Sequence, residues 1–206
     1  MSIEDSLKRA DSLDLHCSDM VSVPRDSCFV LVVDAQARLM PAIAQTDGVL
    51  ANLDRLLRTA RLLGVPVRAT EHCADAIGPT VPSLSRRLDS SEILAKRHFD
   101  ATRAATVPQA LSDLARPVAV VAGVEAHVCV AQTAIGLLRL GWRVAVAEDA
   151  CGSRQAVDRD AGLARLRAAG AVPVTVEALA FEWLESADHP RFRETLAIVK
   201  ERSPLR

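Results

Sequence analysis

The sequence predicts an α/β protein built on a largely parallel sheet, and a pattern that occurs three times carries this prediction. In each case a helical segment ends at a glycine and a short apolar strand follows; the glycines are Gly64, Gly141 and Gly170. Glycine is typical of the left-handed position that ends a helix. Helices that alternate with short apolar strands indicate parallel pairing, because each helix returns the chain to the same edge of the sheet.

Six strands follow from reading the chain in order. Residues 29–33 and 118–122 are apolar without polar alternation, as expected of central strands that are covered on both faces. We predict strand 28–34, helix 47–63, strand 65–70, strand 92–96, helix 107–115, strand 117–122, helix 127–140, strand 142–148, helix 155–169, strand 172–176 and one or two helices after 178.

Composition limits the class of protein. Half of the 206 residues are hydrophobic, so we expect one domain over residues 28–206, preceded by an amino-terminal arm of residues 1–27. Basic and acidic side chains, 25 and 26 in number, are interspersed, so we expect neither a nucleic-acid nor a membrane partner. The five cysteines are odd in number and irregularly spaced, and no apolar signal segment opens the chain, which predicts a cytoplasmic location.

Three chemically capable residues follow predicted strands. Asp34 closes the first strand, Lys96 closes the third, and Cys129 comes after the fourth, in the first turn of a helix. The carboxyl ends of parallel strands meet at one edge of the sheet, where ligands bind. A helix N-terminus lowers the pKa of a thiol and offers free N–H groups to an oxyanion. We therefore predict a nucleophilic cysteine with a carboxylate and an ammonium group beside it.

These residues also carry a resemblance to a known family. From residue 29 to residue 201 the chain resembles the isochorismatase-like cysteine hydrolases, a superfamily that includes nicotinamidases and carbamoylases. The resemblance rests on Asp34-Ala-Gln36, Lys96, the block from Gly123 to Val130 with Gln132-Thr-Ala134, and the block from Asp149 to Arg154. Within the superfamily the chain looks most like the isochorismatase domain-containing subgroup, on Thr70-Glu71, Gly78 to Pro82 and Val157-Asp-Arg159.

The resemblance implies both a fold and a site. The fold is a Rossmann-like three-layer sandwich with a six-stranded, mostly parallel sheet in the order 3-2-1-4-5-6. The site is a catalytic triad of Asp34, Lys96 and Cys129, with a cis peptide bond near Val124 and Glu125 and an oxyanion site at the N–H groups of Glu125 and Cys129. Family members commonly assemble, so we also expect a homo-oligomer, either a dimer or a tetramer.

The cysteine favours acyl transfer to the enzyme. We predict a cysteine hydrolase that acts on a small molecule through a covalent acyl-enzyme, at a C–N bond of an amide or carbamoyl group. Two alternatives stay open: a non-catalytic interaction or regulatory module on the same fold, and an isochorismate-type vinyl ether hydrolase, a class that commonly lacks the thiol. The identity of the substrate stays open, because Ala126 stands where Thr is common in the family and Asp100 stands where many members have Ser.

Gln36, Glu71 and His98 are candidates for substrate contacts. His98 is also an alternative base, because it lies two residues beyond Lys96 and would share its face if the strand continued. His127 is a poor partner for the nucleophile, because side chains two positions apart on a helix point about 200° away from each other.

The sequence predicts neither a metal nor a cofactor. Glu71-His72-Cys73 with Asp75 contains residue types that bind zinc or iron, but the Asp-x-His arrangement of nicotinamidases is absent from this loop. Neither a dinucleotide fingerprint nor a Walker pattern occurs, so we expect no nucleotide cofactor.

Overall fold

The computed structural model describes residues 21–201, so most of the predicted arm lies outside the described residues. The strands are β1 Cys28–Val33, β2 Val67–His72, β3 Ile93–Lys96, β4 Val118–Val124, β5 Arg143–Gly152 and β6 Val172–Val174. They form one sheet in the order β3-β2-β1-β4-β5-β6, and every neighbouring pair is parallel. The predicted fold class and strand order are confirmed.

Helices cover both faces of this sheet. They are α1 Thr46–Leu63, α2 Ala74–Ile77, α3 Pro82–Ser85, α4 Thr106–Ser112, α5 Ala131–Arg139, α6 Ala156–Ala168, α7 Val176–Leu184 and α8 Phe192–Lys200. Short 3-10 turns occupy Arg25–Ser27, Met40–Ala42, Ser90–Glu92 and Ala101–Arg103, and a π-helical turn, Ala126–Val130, leads into α5. None of the helices within residues 21–201 is long and apolar enough to cross a membrane.

The core has two halves, one on each face of the sheet. Along β1, Val30 and Val32 pack with α1 and α7, whereas Phe29 and Leu31 pack with α4, α5 and α6. All of these side chains are buried, which explains why β1 is continuously apolar. The sheet is therefore the middle layer of a three-layer sandwich, as predicted.

The three glycines end their helices as expected. Gly64, Gly141 and Gly170 have φ angles of 74°, 92° and 96°, in the left-handed region. The strand after Gly64 begins two residues later than predicted. Pro66 lacks an N–H, and the N–H of Val65 still bonds to the carbonyl of Ala60 in the preceding helix.

Strand β5 is longer than the predicted strand 142–148. The pairing of β5 with β4 changes register between Val121 and Gly123 of β4. Beyond this shift the two strands pair again, with Gly123 opposite Cys151. The strand therefore continues to Gly152, and Cys151 lies inside the sheet, fully enclosed.

The described part of the amino-terminal segment packs on the domain. Val23 is buried, its carbonyl accepts a hydrogen bond from Trp183 Nε1 at 3.1 Å, and its N–H donates to the carboxylate of Glu182. Both partners belong to α7, and most of the apolar side chains of this helix are buried within the same chain.

Candidate active site

The carboxyl edge of the sheet brings the three predicted residues together. Asp34 follows β1, Lys96 ends β3, and Cys129 lies in the π-helical turn after β4. Lys96 Nζ donates to Asp34 Oδ2 at 2.5 Å, and neither side chain has exposed surface. The Cys129 thiol is 6% exposed and lies close enough to both groups for their charges to shift its pKa. A carboxylate, an ammonium group and a sulfur atom thus share one small site.

Asp34 is held by more than its ion pair. Its backbone is left-handed, with φ 50°, and its N–H donates to the Thr70 carbonyl at 3.1 Å. The Thr70 hydroxyl donates to Asp34 Oδ1 at 2.6 Å, so each carboxylate oxygen has its own donor. The sequence prediction did not include this role for Thr70. The signal was present, because Thr70 is a polar residue at the carboxyl end of a strand that runs beside the first.

Burial controls the state of the nucleophile. It raises the pKa of the Cys129 thiol to about 12; the negative charge of Asp34 adds to the rise, and the positive charge of Lys96 opposes it. The lower pKa expected from a helix N-terminus is wrong for this site, because burial takes the thiolate out of water and raises the pKa. The resting thiol is therefore protonated at neutral pH, and it needs a base in contact with it.

The peptide bond between Val124 and Glu125 is cis, at the position that the resemblance implies. The chain then turns tightly around the Glu125 carbonyl, which accepts hydrogen bonds from Val128 N at 3.0 Å and Val130 N at 3.2 Å. The Glu125 N–H itself has no backbone acceptor among residues 21–201. A free N–H one turn before Cys129 is the kind of donor that an oxyanion requires.

The carboxylate of Glu125 is anchored to the loop after β5. Its Oε2 accepts from Arg154 N at 3.1 Å and Arg154 Nε at 3.0 Å. Nearby, His127 Nδ1 and Ser153 Oγ are 3.0 Å apart. The His127 ring is thus hydrogen-bonded to Ser153, and together these contacts tie the turn that carries Cys129 to the end of β5.

The side-chain amide of Gln36 is hydrogen-bonded to backbone groups of His72 and Gly78. Nε2 donates to the carbonyls of His72 at 3.0 Å and Gly78 at 2.6 Å, and Oε1 accepts from His72 N at 2.8 Å. The side chain is completely buried. These bonds fix the loop that follows β2, beside the ion pair.

Glu71 and His98, the other two predicted substrate contacts, line a cavity of about 630 Å³ next to the end of β3. Lys96 borders the same cavity, but Asp34 and Cys129 do not. Since the Lys96 side chain has no exposed surface, its main chain forms this wall. The cavity therefore adjoins the triad and does not contain the sulfur atom.

The rings of His72 and Phe99 stack at the border of the site, with centroids 5.1 Å apart. Burial lowers the pKa of His72 and the nearby charge of Lys96 lowers it further, so the ring is neutral at pH 7. Across residues 21–201, no three His, Cys, Asp or Glu side chains are grouped so that they could hold a metal ion.

The parallel sheet and the group of Asp34, Lys96 and Cys129 at its carboxyl edge define the class as an isochorismatase-like hydrolase fold. The chain belongs to the isochorismatase domain family, which matches residues 28–178. It is 34% identical to isochorismatase domain-containing protein 2A of Mus musculus over 183 residues, which cover 87% of this chain and 85% of the relative. The family and subgroup expected from the sequence are confirmed.

Solved structures agree with this placement. The MAR1 ribonuclease of Caenorhabditis elegans superposes with a TM-score of 0.82 at 30% identity, covering 89% of this chain and 95% of that one. The YcaC gene product of Escherichia coli, described as an octameric hydrolase of unknown specificity, superposes with a TM-score of 0.79 at 25% identity, covering 87% of each chain.

Proposed function

We propose that this protein is a cysteine hydrolase that opens a C–N bond of a small amide or carbamoyl compound through a covalent acyl-enzyme. The buried Asp34–Lys96 pair beside the Cys129 thiol carries this proposal. A thiol with a pKa of about 12 is a poor nucleophile unless a base takes its proton, and Asp34 is the base within reach.

In the first half of the reaction, Asp34 accepts the thiol proton as the sulfur of Cys129 attacks the acyl carbon. The N–H groups of Glu125 and Cys129 stabilise the oxyanion that forms. The C–N bond then breaks, and protonated Asp34 gives its proton to the departing nitrogen. An amine or ammonia leaves, and a thioester to Cys129 remains.

In the second half, water attacks the thioester while Asp34 accepts a proton from it. The carbon–sulfur bond breaks, and the sulfur recovers a proton from Asp34. The acid product leaves, and the free thiol is restored. Lys96 holds the Asp34 carboxylate in place through its hydrogen bond to Oδ2 and balances its negative charge.

We also propose a cellular location and an assembly state for this protein. The number of cysteines is odd, and within residues 21–201 no disulfide joins Cys28, Cys73, Cys129 or Cys151, which fits a reducing cytoplasm. We also propose a homo-oligomer, since the E. coli neighbour is described as octameric.

Intact-mass screening of the protein against a library of amides and carbamoyl compounds tests the reaction. We expect one acyl adduct per chain, trapped early in turnover, and loss of both adduct and turnover in Cys129→Ala. The matched control is Cys28→Ala, which removes a buried thiol at the far end of β1 and keeps the adduct.

Two outcomes would favour the alternatives. A vinyl ether hydrolase would release pyruvate from isochorismate and keep that activity in Cys129→Ala. A binding module would form no adduct with any compound, and Cys129 would resist alkylation in the native protein.

A further inference from the structure

Three arginine side chains line one cavity outside the proposed catalytic site. The cavity has a volume of about 430 Å³ and is lined by Asp100, Arg103, Gln132, Ile135, Arg139 and Arg165. Asp34, Lys96 and Cys129 do not border it. We propose that this arginine cavity binds a small anion that carries phosphate, which is a function separate from the hydrolysis proposed above.

Three elements converge to build the arginine cavity. On α5, Gln132, Ile135 and Arg139 are spaced at i, i+3 and i+7, so they lie along one face of the helix. Arg165 comes from α6, which packs against α5, and Arg103 ends the 3-10 turn after β3. Three arginines that are far apart in sequence therefore line the same cavity.

Close packing joins two of the elements that carry the arginine cavity, α5 and the 3-10 turn Ala101–Arg103. Thr133 Oγ1 accepts from Ala101 N at 3.0 Å, which joins α5 to the 3-10 turn. Gly136 lets the turn approach further, because a Cβ at this position would lie 2.4 Å from Thr102 Oγ1 and 2.5 Å from Asp100 Oδ1. The backbone of Arg103 is therefore held in a fixed position relative to Arg139.

The charges in the arginine cavity are unbalanced. Within residues 21–201, Arg103, Arg139 and Arg165 form no ion pair, although many other arginines of the surface do. The Asp100 carboxylate is engaged locally, where Oδ1 accepts from Thr102 N at 2.9 Å and Thr102 Oγ1 at 2.6 Å. Three arginines and one aspartate therefore line the cavity, and this net positive lining favours a bound anion.

Phosphate is the anion that this arrangement fits. A guanidinium group offers paired N–H donors that match two oxygens of a phosphate, and several arginines can share its remaining oxygens. The Gln132 amide can supply one further donor. A volume of about 430 Å³ is in the range of small-molecule sites, which favours a free phosphorylated compound over a polymer.

Calorimetric titration with pyrophosphate at low salt tests the proposal. Hydrogen bonds to charged groups contribute enough that we expect Arg139→Gln and Arg165→Gln each to weaken binding roughly tenfold. Arg193→Gln is the matched control, because it removes an exposed arginine from α8, away from the arginine cavity, and should leave the affinity unchanged. Cys129→Ala should also bind pyrophosphate normally, so failure of the proposed hydrolysis would not affect the result.

Other outcomes would overturn the proposal. Absence of pyrophosphate binding in the millimolar range would do so, as would equal losses in Arg165→Gln and Arg193→Gln. A single-stranded oligoribonucleotide is titrated in parallel. If it binds more tightly than pyrophosphate and loses affinity in Arg139→Gln, the surface binds RNA and the small-anion proposal is wrong. Melting temperatures of the variants confirm that each one is folded.

Discussion

The Asp34–Lys96 ion pair is completely buried, so each member depends on the other. Removal of two charges from water costs several kcal/mol per ion, and their attraction offsets this cost only while both are present. Thr70 adds a donor to Asp34 Oδ1 at 2.6 Å, but it carries no charge. The pair that organises the proposed chemistry is therefore also a weak point in the stability of the fold.

Replacement of Lys96 by methionine exposes this dependence. Met fills similar space but leaves the Asp34 carboxylate buried and unpaired, so we expect the free energy of unfolding to fall by about 3–5 kcal/mol. Urea denaturation of wild type and Lys96→Met measures the change. The double variant Asp34→Asn/Lys96→Met removes both charges and should recover part of the loss. Equal stability of Lys96→Met and wild type would contradict this dependence of Asp34 on Lys96.

Helix α6 supports the turn that carries Cys129 through a glycine. A Cβ at Gly162 would lie 2.7 Å from His127 Cα and 2.8 Å from His127 N, which are backbone atoms of the π-helical turn. Alanine at this position must therefore push α6 and the turn apart. Because the Glu125 and Cys129 N–H groups belong to the same region, the displacement reaches the proposed oxyanion site.

We expect Gly162→Ala to destabilise the protein by about 1–3 kcal/mol, as overpacking does, despite the higher helix propensity of alanine. It should also slow acylation of Cys129 in the intact-mass assay. Gly48→Ala is the matched control, since nothing lies within 4 Å of a Cβ there and Gly48 is also in a helix. That control should be neutral or stabilising by up to about 1 kcal/mol. Similar effects of the two substitutions would contradict this account of α6.

Much of the element order could be predicted because its signals are local. A glycine such as Gly64 ends a helix by its own backbone freedom, and an apolar run such as 118–122 indicates a central strand by itself. The end of β5 could not be found in this way. Its last residues pair with β4 only after a register shift at Gly123, and long-range register leaves no mark in a short window of sequence.

The features of the candidate site also divide into those that local sequence predicts and those that depend on the assembled fold. Asp34, Lys96 and Cys129 could be placed together because each follows a predicted strand. The hydrogen bond from Thr70 depends on the pairing of Val33 with Thr70, which only the assembled sheet determines. The raised pKa of Cys129 depends on how deeply the finished fold encloses the thiol, and local sequence does not encode that depth.

Three enclosed thiols give the whole molecule a pH-dependent stability. Burial raises the pKa of Cys28, Cys129 and Cys151 to about 12 each, from an ordinary value of 9.0. Between these values the folded protein keeps the three thiols protonated, whereas the unfolded chain ionises them. Unfolding then releases protons, so the free energy of unfolding falls as the pH rises from about 9 towards 12.

We expect each thiol to lower the free energy of unfolding by up to about 1.4 kcal/mol per pH unit in this window and to have no such effect below it. Urea denaturation at a series of pH values from about 8 to 11 measures the slope. Cys28→Ala and Cys151→Ala each remove one titrating group, so each should make the slope about one-third shallower, and the double variant about two-thirds. The loss of packing in these variants shifts the free energy at every pH equally, so it leaves the slope unaffected. An unchanged slope in the double variant would show that other groups control stability at alkaline pH.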